Sequence, residues 1–171
     1  MKIQSFDPIA TTDSKVIILG TMPSNTSLKF NEYYSHPDNL FWDIIFRTCI
    51  PGWKIDELVK VEYKEKVKLL ESNHIALWDV LKYCDRKGSL DIAIRNQAHN
   101  DFKAFFVDFP KIKTVFFNGK KASTFFDDLK SAPEIFVGKT FITLPSTSPS
   151  NTQNTFFILK EWFQIRKYII N

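Results

Sequence analysis

The chain has 171 residues, with 23 Lys and Arg against 19 Asp and Glu, for a formal net charge of +4. That length accommodates one domain, residues 1–171, with a sizeable core. With 44% hydrophobic and 25% charged residues the chain is not intrinsically disordered, and no run approaches the roughly 20 apolar residues of a bilayer span. The start, Met1-Lys2-Ile3-Gln4-Ser5-Phe6-Asp7, is too polar for a signal peptide. Cys49 and Cys84 lie far apart without a C-x-x-C, and His36, His74 and His99 lack metal-ligand spacing. The expectation is a cytoplasmic or nucleoid-associated protein with reduced cysteines, no metal and no membrane contact. The excess positive charge suits either a solvated surface or a polyanionic partner. The 15% aromatic share, 17 of them Phe, either fills a core or includes rings that stack on a flat ligand.

In chain order, Val16-Ile17-Ile18-Leu19 opens as an apolar run of strand length. Asp38 to Cys49 follows with Phe41, Ile45, Phe46 and Cys49 on one helical face and Asp38 placed to cap it. Residues 55–72 repeat Val59, Tyr63, Val67 and Leu70 at helical spacing, with Lys and Glu opposite. Ile75-Ala76-Leu77-Trp78 reads as a second strand, 100–108 as a weaker helix, and Thr114-Val115-Phe116-Phe117 as a third strand. From Lys120, Ala122, Phe125, Phe126 and Leu129 trace a helix; Thr140-Phe141-Ile142-Thr143-Leu144 is a fourth strand. The stretch 154–170 aligns Ile158, Trp162, Ile165 and Ile169 on one stripe.

Strands without polar alternation are buried on both faces, the habit of parallel sheets, and strands alternating with helices imply crossovers. The expected fold is a three-layer α/β/α sandwich, with no internal repeat or linker dividing it. Ligands of such sheets bind beyond the carboxyl ends of the strands. Three loops should share that rim: Gly20-Thr21-Met22-Pro23-Ser24, Asn118-Gly119-Lys120 and Pro145-Ser146-Thr147-Ser148-Pro149-Ser150-Asn151. Gly20 permits a tight exit, Pro23 stiffens the turn, and Tyr33-Tyr34 offers rings. His36-Pro37 is a rigid extended pair leading to Asn39, whose amide either points into the rim or only solvates the helix end. The hydroxyl-rich loop 145–151 is either a surface connector or a set of neutral donors for phosphate oxygens. H-E-x-x-H, G-x-S-x-G, G-x-G-x-x-G and the P-loop pattern are absent.

Taken together, these segments resemble the uracil-DNA glycosylase superfamily, in the branch that holds mismatch-specific uracil/thymine and hypoxanthine (deoxyinosine) DNA glycosylases. The resemblance rests on Leu19-Gly20-Thr21-Met22-Pro23-Ser24, on Tyr33-Tyr34-Ser35-His36-Pro37-Asp38-Asn39-Leu40-Phe41-Trp42, on Ala76-Leu77-Trp78-Asp79-Val80-Leu81 with Gly88-Ser89-Leu90-Asp91, on Phe117-Asn118-Gly119-Lys120, and on Leu144 to Asn151. It implies a four-stranded parallel sheet in the order 2-1-3-4 and excision of a damaged base from DNA without metal or cofactor, most simply by a monomer.

By the same resemblance, Gly20, Thr21, Met22, Pro23 and Ser24 border the base pocket, Tyr34 stacks on the base and Asn118 contacts its edge. His36, Ser146, Thr147, Ser148, Pro149, Ser150 and Asn151 face the DNA strand, the loop partly filling the space the base vacates. Met22 stands where mismatch-type members usually carry a catalytic Asn, a departure that suits the deoxyinosine pattern and moves the catalytic assignment to Asn39. Ser24 replaces a Gly often seen after this Pro. Asp79 and Asp91 are either electrostatic helpers or structural and capping residues. A uracil or mismatch-specific glycosylase, a non-catalytic damaged-DNA-binding module and an enzyme of free nucleosides are the competing readings.

Overall fold

The computed structural model describes residues 2–54, 58, 60–129 and 133–170. From the N-terminus run β1 (Lys2–Gln4), β2 (Val16–Gly20), α1 (Asn25–Phe30), α2 (Phe41–Cys49), α3 (Tyr63–Ser72), β3 (Ile75–Asp79) and β4 (Leu81–Asp85). A 3-10 turn at Asp91–Ala93 precedes β5 (Arg95–His99), α4 (Phe102–Asp108), β6 (Thr114–Asn118) and α5 (Lys120–Asp127). The chain closes with β7 (Thr140–Leu144), α6 (Thr155–Trp162), a 3-10 turn at Phe163–Ile165 and α7 (Arg166–Ile169).

Strands β3-β2-β6-β7 form a four-stranded, all-parallel sheet, which is the expected 2-1-3-4 order when only these strands are counted. Every residue of β2, β3 and β6 is buried, which is why their sequences lack polar alternation. β7 is an edge strand and leaves Thr140, Phe141 and Thr143 exposed. Side-chain alternation splits the core. Val16, Ile18, Ile75, Leu77 and Phe116 pack under α2, α3 and the C-terminal helices, meeting Ile44, Leu70, Ile158, Trp162, Ile165 and Ile169. Ile17, Leu19, Ala76, Trp78, Val115 and Phe117 point the other way, against Phe102, Phe105 and Phe106 of α4 and Ala122 and Phe126 of α5. Burying each Val, Leu, Ile or Phe among them stabilises the fold by about 1.5–3 kcal/mol.

The structure departs from the sequence reading in four places. A second, antiparallel sheet, β1-β4-β5, flanks the α4 side; β5 reads Arg-Asn-Gln-Ala-His and carries no apolar period to announce it. Residues 25–30 form a short helix, α1, capped by Ser24 Oγ accepting from Ser27 N at 3.1 Å. Asp38 does not cap α2: it is exposed, and the helix begins at Phe41, after Leu40 N has donated to Thr147 O at 3.1 Å. The C-terminal segment is broken by its 3-10 turn, yet its apolar stripe stays buried. In the helix expected over 55–72, α3 accounts for Tyr63, Val67 and Leu70, while residues 55–57 and Val59 lie outside the described residues.

Candidate active site

The parallel register ends the four strands on one row: Gly20 lies opposite Asp79, Leu19 opposite Phe117, and Asn118 opposite Leu144. The loops leaving that row surround a cavity of about 690 Å³. Gly20, Thr21, Met22, Pro23, Ser24, Tyr34, His36, Asn39, Asn118, Ser146, Thr147, Ser148, Pro149 and Ser150 all line it. Asn151 does not; it faces the adjoining groove with Gln153 and Phe157, and its amide donates to Ser146 O at 2.7 Å. Residues spread over 130 positions of sequence thus meet because parallel strands deliver successive loops to the same end.

At the floor, Gly20 makes room for its neighbours. A Cβ there would lie 2.5 Å from Asp79 Oδ1 and 2.8 Å from the Tyr34 hydroxyl. Asp79 is buried, with Oδ2 accepting from Ser5 Oγ at 3.3 Å. Burial pushes its carboxyl up to about 7, Asp91 adds to the rise, and Ser5 and Arg86 oppose it. Tyr34 takes a positive φ of 54° and stacks on Phe41, with ring centroids 4.0 Å apart and 20° between planes. Its hydroxyl is buried beside Asp79 without a hydrogen-bond partner of good geometry among the described residues, and burial drives its pKa well up.

Asn39 lies in the turn before α2, and its Oδ1 accepts from Phe41 N at 3.0 Å. This leaves its NH₂ group and a second lone pair on Oδ1 for the cavity. His36 Nδ1 accepts from Asp38 N at 3.2 Å on the outer side of the same turn. Asn118, at the end of β6, is joined to the loop after β7: its Nδ2 donates to Thr147 Oγ1 and its Oδ1 accepts from Thr147 N. Thr147 is fully buried, so its side chain presents nothing to the surface. Gly119, at φ +93°, lets Ser146 approach: a Cβ on it would stand 3.0 Å from Ser146 Cβ. Ser148 and Ser150 hydroxyls face each other at 2.9 Å, and Pro149 and Ser150 are exposed.

One part of the rim shows in the sequence only as Gly88-Ser89-Leu90-Asp91, with Asp91 a helper or a structural residue, and its neighbours come from the fold. The turn 86–94 lies against the first loop: Arg86 donates to Pro23 O and to Gly88 O, Ser89 Oγ accepts from Asn25 N at 3.0 Å, and Thr21 is close enough to Asp91 to favour its charged form. Ser89, Leu90, Asp91 and Ile92 therefore line the cavity, as do Lys120 and Lys121. Asp91 is itself pushed upward by burial, against the pull of Thr21, Arg86 and Lys121. Among the described residues no cluster of three or more His, Cys, Asp or Glu is arranged to hold a metal ion, and no helix is long and apolar enough to cross a membrane.

The four-stranded parallel sheet between helices, in the order β3-β2-β6-β7 with a cavity at its strand ends, is a fold of the uracil-DNA glycosylase type. The profile of the "Uracil DNA glycosylase superfamily" matches residues 6–166, and the chain belongs to that superfamily as a DNA glycosylase. It is 34% identical over 125 residues to a hypoxanthine DNA glycosylase of Methanosarcina barkeri, covering 73% of this chain and 76% of that protein. To a hypoxanthine DNA glycosylase of Methanosarcina acetivorans it is 32% identical over 160 residues, 93% of this chain and 94% of the relative. A solution NMR structure from Methanosarcina acetivorans, provisionally described as a uracil DNA glycosylase, superposes with a TM-score of 0.82 at 29% identity over 100% of both chains.

Proposed function

We propose that this protein is a monofunctional glycosylase that removes hypoxanthine from deoxyinosine in DNA and leaves an abasic site. The observation that carries the reading is the convergence of Tyr34, Asn39 and Asn118 on one cavity, in a chain related to proteins named hypoxanthine DNA glycosylases. The target base leaves the duplex to enter that cavity, at a cost of a few kcal/mol that a mismatch reduces. Tyr34, already stacked on Phe41, extends that stack by one base. The backbone of Thr21 to Ser24 borders the base, and Asn118 reaches its edge with the hydrogen-bonding capacity that Thr147 leaves over.

Hydrolysis breaks the bond between C1′ and the base nitrogen. The bonding pair leaves with the base, water oxygen bonds C1′, and the proton water gives up neutralises the base through solvent. An amide is not a general base, so Asn39 acts by orienting water through Oδ1, which the Phe41 N–H holds in place. Below about pH 7 the Asp79 carboxyl is neutral and sets no negative charge against the departing base. The positive end of α2 favours that departure. Ser146, Ser148, Ser150 and backbone N–H groups of the 145–151 loop hold the strand, with His36 and Asn151 beside them, while Thr147 positions the loop. We place this activity in one domain, as a monomer acting on chromosomal DNA.

Met22, in place of an Asn, favours hypoxanthine over the uracil/thymine mechanism. Uracil is the second substrate, supported by the uracil DNA glycosylase description of the similar solution structure. A base-release panel with oligonucleotides carrying hypoxanthine, uracil, xanthine or mismatched thymine, read by alkaline cleavage at the abasic site, should give strongest cleavage at hypoxanthine. No cleavage on any substrate overturns the proposal: duplex binding without release would make the protein a damage-binding module, and activity on free nucleosides alone a small-molecule hydrolase.

A further inference from the structure

Among the described residues Arg86 alone of the lysines and arginines is buried, at 3% exposure. It stands just beyond β4 and spends its guanidinium on backbone: Nε donates to Gly88 O at 2.9 Å and Nη2 to Pro23 O. Its Nη1 is buried with no hydrogen-bond partner among the described residues, and no ion pair there includes Arg86. Its charge is felt by Asp91 first, then by Cys84 and Asp79. Taking a guanidinium out of water is costly, and apolar side chains of similar volume often fill such a place as well or better. What accounts for an arginine here is therefore what its fork holds. Gly20 O accepts from Val80 N and Thr21 O from Leu81 N, which fixes the start of the first loop, while Ser24 O accepts from Leu28 N of α1. Pro23 O, between those anchors, is held by Arg86. The peptide bonds are trans, with N–H opposite C=O, so fixing Pro23 O also fixes the direction of the Ser24 N–H.

We propose that Arg86 is a positioning residue for base capture: it clamps Pro23 O against the turn 86–94 and so sets the width of the cavity between the first loop and that turn. The inference rests on the reading that a DNA base enters the cavity. Pro23 and Ser24 line one side of that space and Ser89, Leu90 and Asp91 the other, whereas Arg86 does not line it and acts through the backbone it holds. The second tie between the two walls, Asn25 N to Ser89 Oγ at 3.0 Å, is exposed to water and weaker for it. Asn39 approaches from the start of α2, on an element that Arg86 does not touch. Loosening the clamp therefore weakens capture of the base and leaves the orientation of water intact. The arginine fork suits this task, since its several donors lie in one rigid plane and serve two carbonyls at once.

The test is single-turnover release of hypoxanthine from a duplex, with the half-saturating protein concentration and the maximal rate constant read separately. The variants are Arg86→Ala, Arg86→Lys and, as control, Arg95→Ala. Arg95 is exposed and donates to Ile92 O and Ile94 O, bonds that leave the first loop alone. Arg86→Ala should raise half-saturation by at least about tenfold while the maximal rate constant stays within about threefold, and millimolar methylguanidinium should reverse the rise. Partial unfolding would instead lower the amplitude and leave half-saturation in place. Arg86→Lys keeps the charge but offers one donor centre for two carbonyls, and should fall between wild type and Arg86→Ala. If the alanine variant does not fold, Arg86→Lys decides by the same criterion. Unchanged half-saturation in a folded variant, or an equal rise in Arg95→Ala, overturns the clamp. If the wild-type protein released no base at all, the glycosylase reading would fall, and binding would decide the clamp. A preference for hypoxanthine-bearing over undamaged duplex that Arg86→Ala loses and methylguanidinium restores supports it; a preference indifferent to Arg86, or none in the wild type, overturns it.

Discussion

Asn118 and Thr147 hold each other by two hydrogen bonds: Asn118 Nδ2 donates to Thr147 Oγ1 at 2.8 Å, and Thr147 N donates to Asn118 Oδ1 at 2.9 Å. Both residues are buried, and the pair is the joint between β6 and the Ser/Pro loop. The same Thr147 accepts from Leu40 N through its carbonyl, so one residue ties the loop to the segment that carries Asn39. Thr147→Val keeps the shape but strands the Asn118 NH₂, and should cost about 1–3 kcal/mol in urea unfolding. Thr147→Ser should restore most of it. A double-mutant cycle with Asn118→Ala should return a coupling of roughly 0.5–3 kcal/mol; additive losses would mean the Asn118 Nδ2–Thr147 Oγ1 bond carries no net energy.

At Gly20 the constraint is steric. Any side chain there would have to displace Asp79 and Tyr34, both wedged against the strand end. Gly20→Ala should destabilise the fold by about 1–3 kcal/mol, as overpacking of a close-packed site does. Base release should fall further than the stability loss accounts for, because Tyr34 and the cavity floor move together. Thermal melts beside single-turnover base release would show it; wild-type activity in a folded Gly20→Ala protein would mean the floor geometry is not used.

Asp79 gives the stability a pH dependence of known sign. Folded, its buried carboxyl titrates at about 7, with Ser5, Tyr34, Asp91 and Arg86 around it; unfolded, it titrates near its ordinary 3.8. Between these values the folded chain carries a proton that the unfolded chain has released, so this group's contribution to stability falls as pH rises through the window and levels off above it. The total is on the order of a few kcal/mol. Asp79→Asn should flatten that slope when urea midpoints are compared across the window. It should also remove the decline in base release expected above about pH 7, where the carboxylate would repel a departing anionic base. Identical pH profiles in the two proteins would exclude a buried, proton-holding Asp79.

The parts of the molecule that announce themselves in the sequence are those whose environment is uniform along the chain. β2, β3 and β6 are buried on both faces, so Val16–Leu19, Ile75–Trp78 and Thr114–Phe117 read as unbroken apolar runs. β5 stays silent because Arg95–His99 is held by its pairing with β4 rather than by an apolar face. The start of α2 is displaced from Asp38 because a contact 107 positions away, Leu40 to Thr147, decides where the helix begins. In the site, the loops after β2, β6 and β7 follow from topology alone. The turn 86–94 does not: Gly88-Ser89-Leu90-Asp91 stands out in the sequence, but what places it against the first loop is a tertiary bond from Arg86 to Pro23 O that no local pattern encodes.

Asn39 separates a structural from a chemical role in one residue. Its Oδ1 satisfies the Phe41 N–H at the start of α2, so Asn39→Ala should lose about 0.5–2 kcal/mol of stability, as the removal of a helix-end acceptor does. If the same oxygen orients the attacking water, kcat should fall by roughly a hundredfold or more with KM little changed, because a misplaced nucleophile loses the advantage of alignment without weakening base binding. The measurement is single-turnover release of hypoxanthine from a duplex at saturating protein, beside urea unfolding of the same variant. A loss of stability alone, with the chemical step intact, would assign Asn39 to the helix and take the water from it. A collapse of the rate constant in a protein that remains folded would place the water at Asn39.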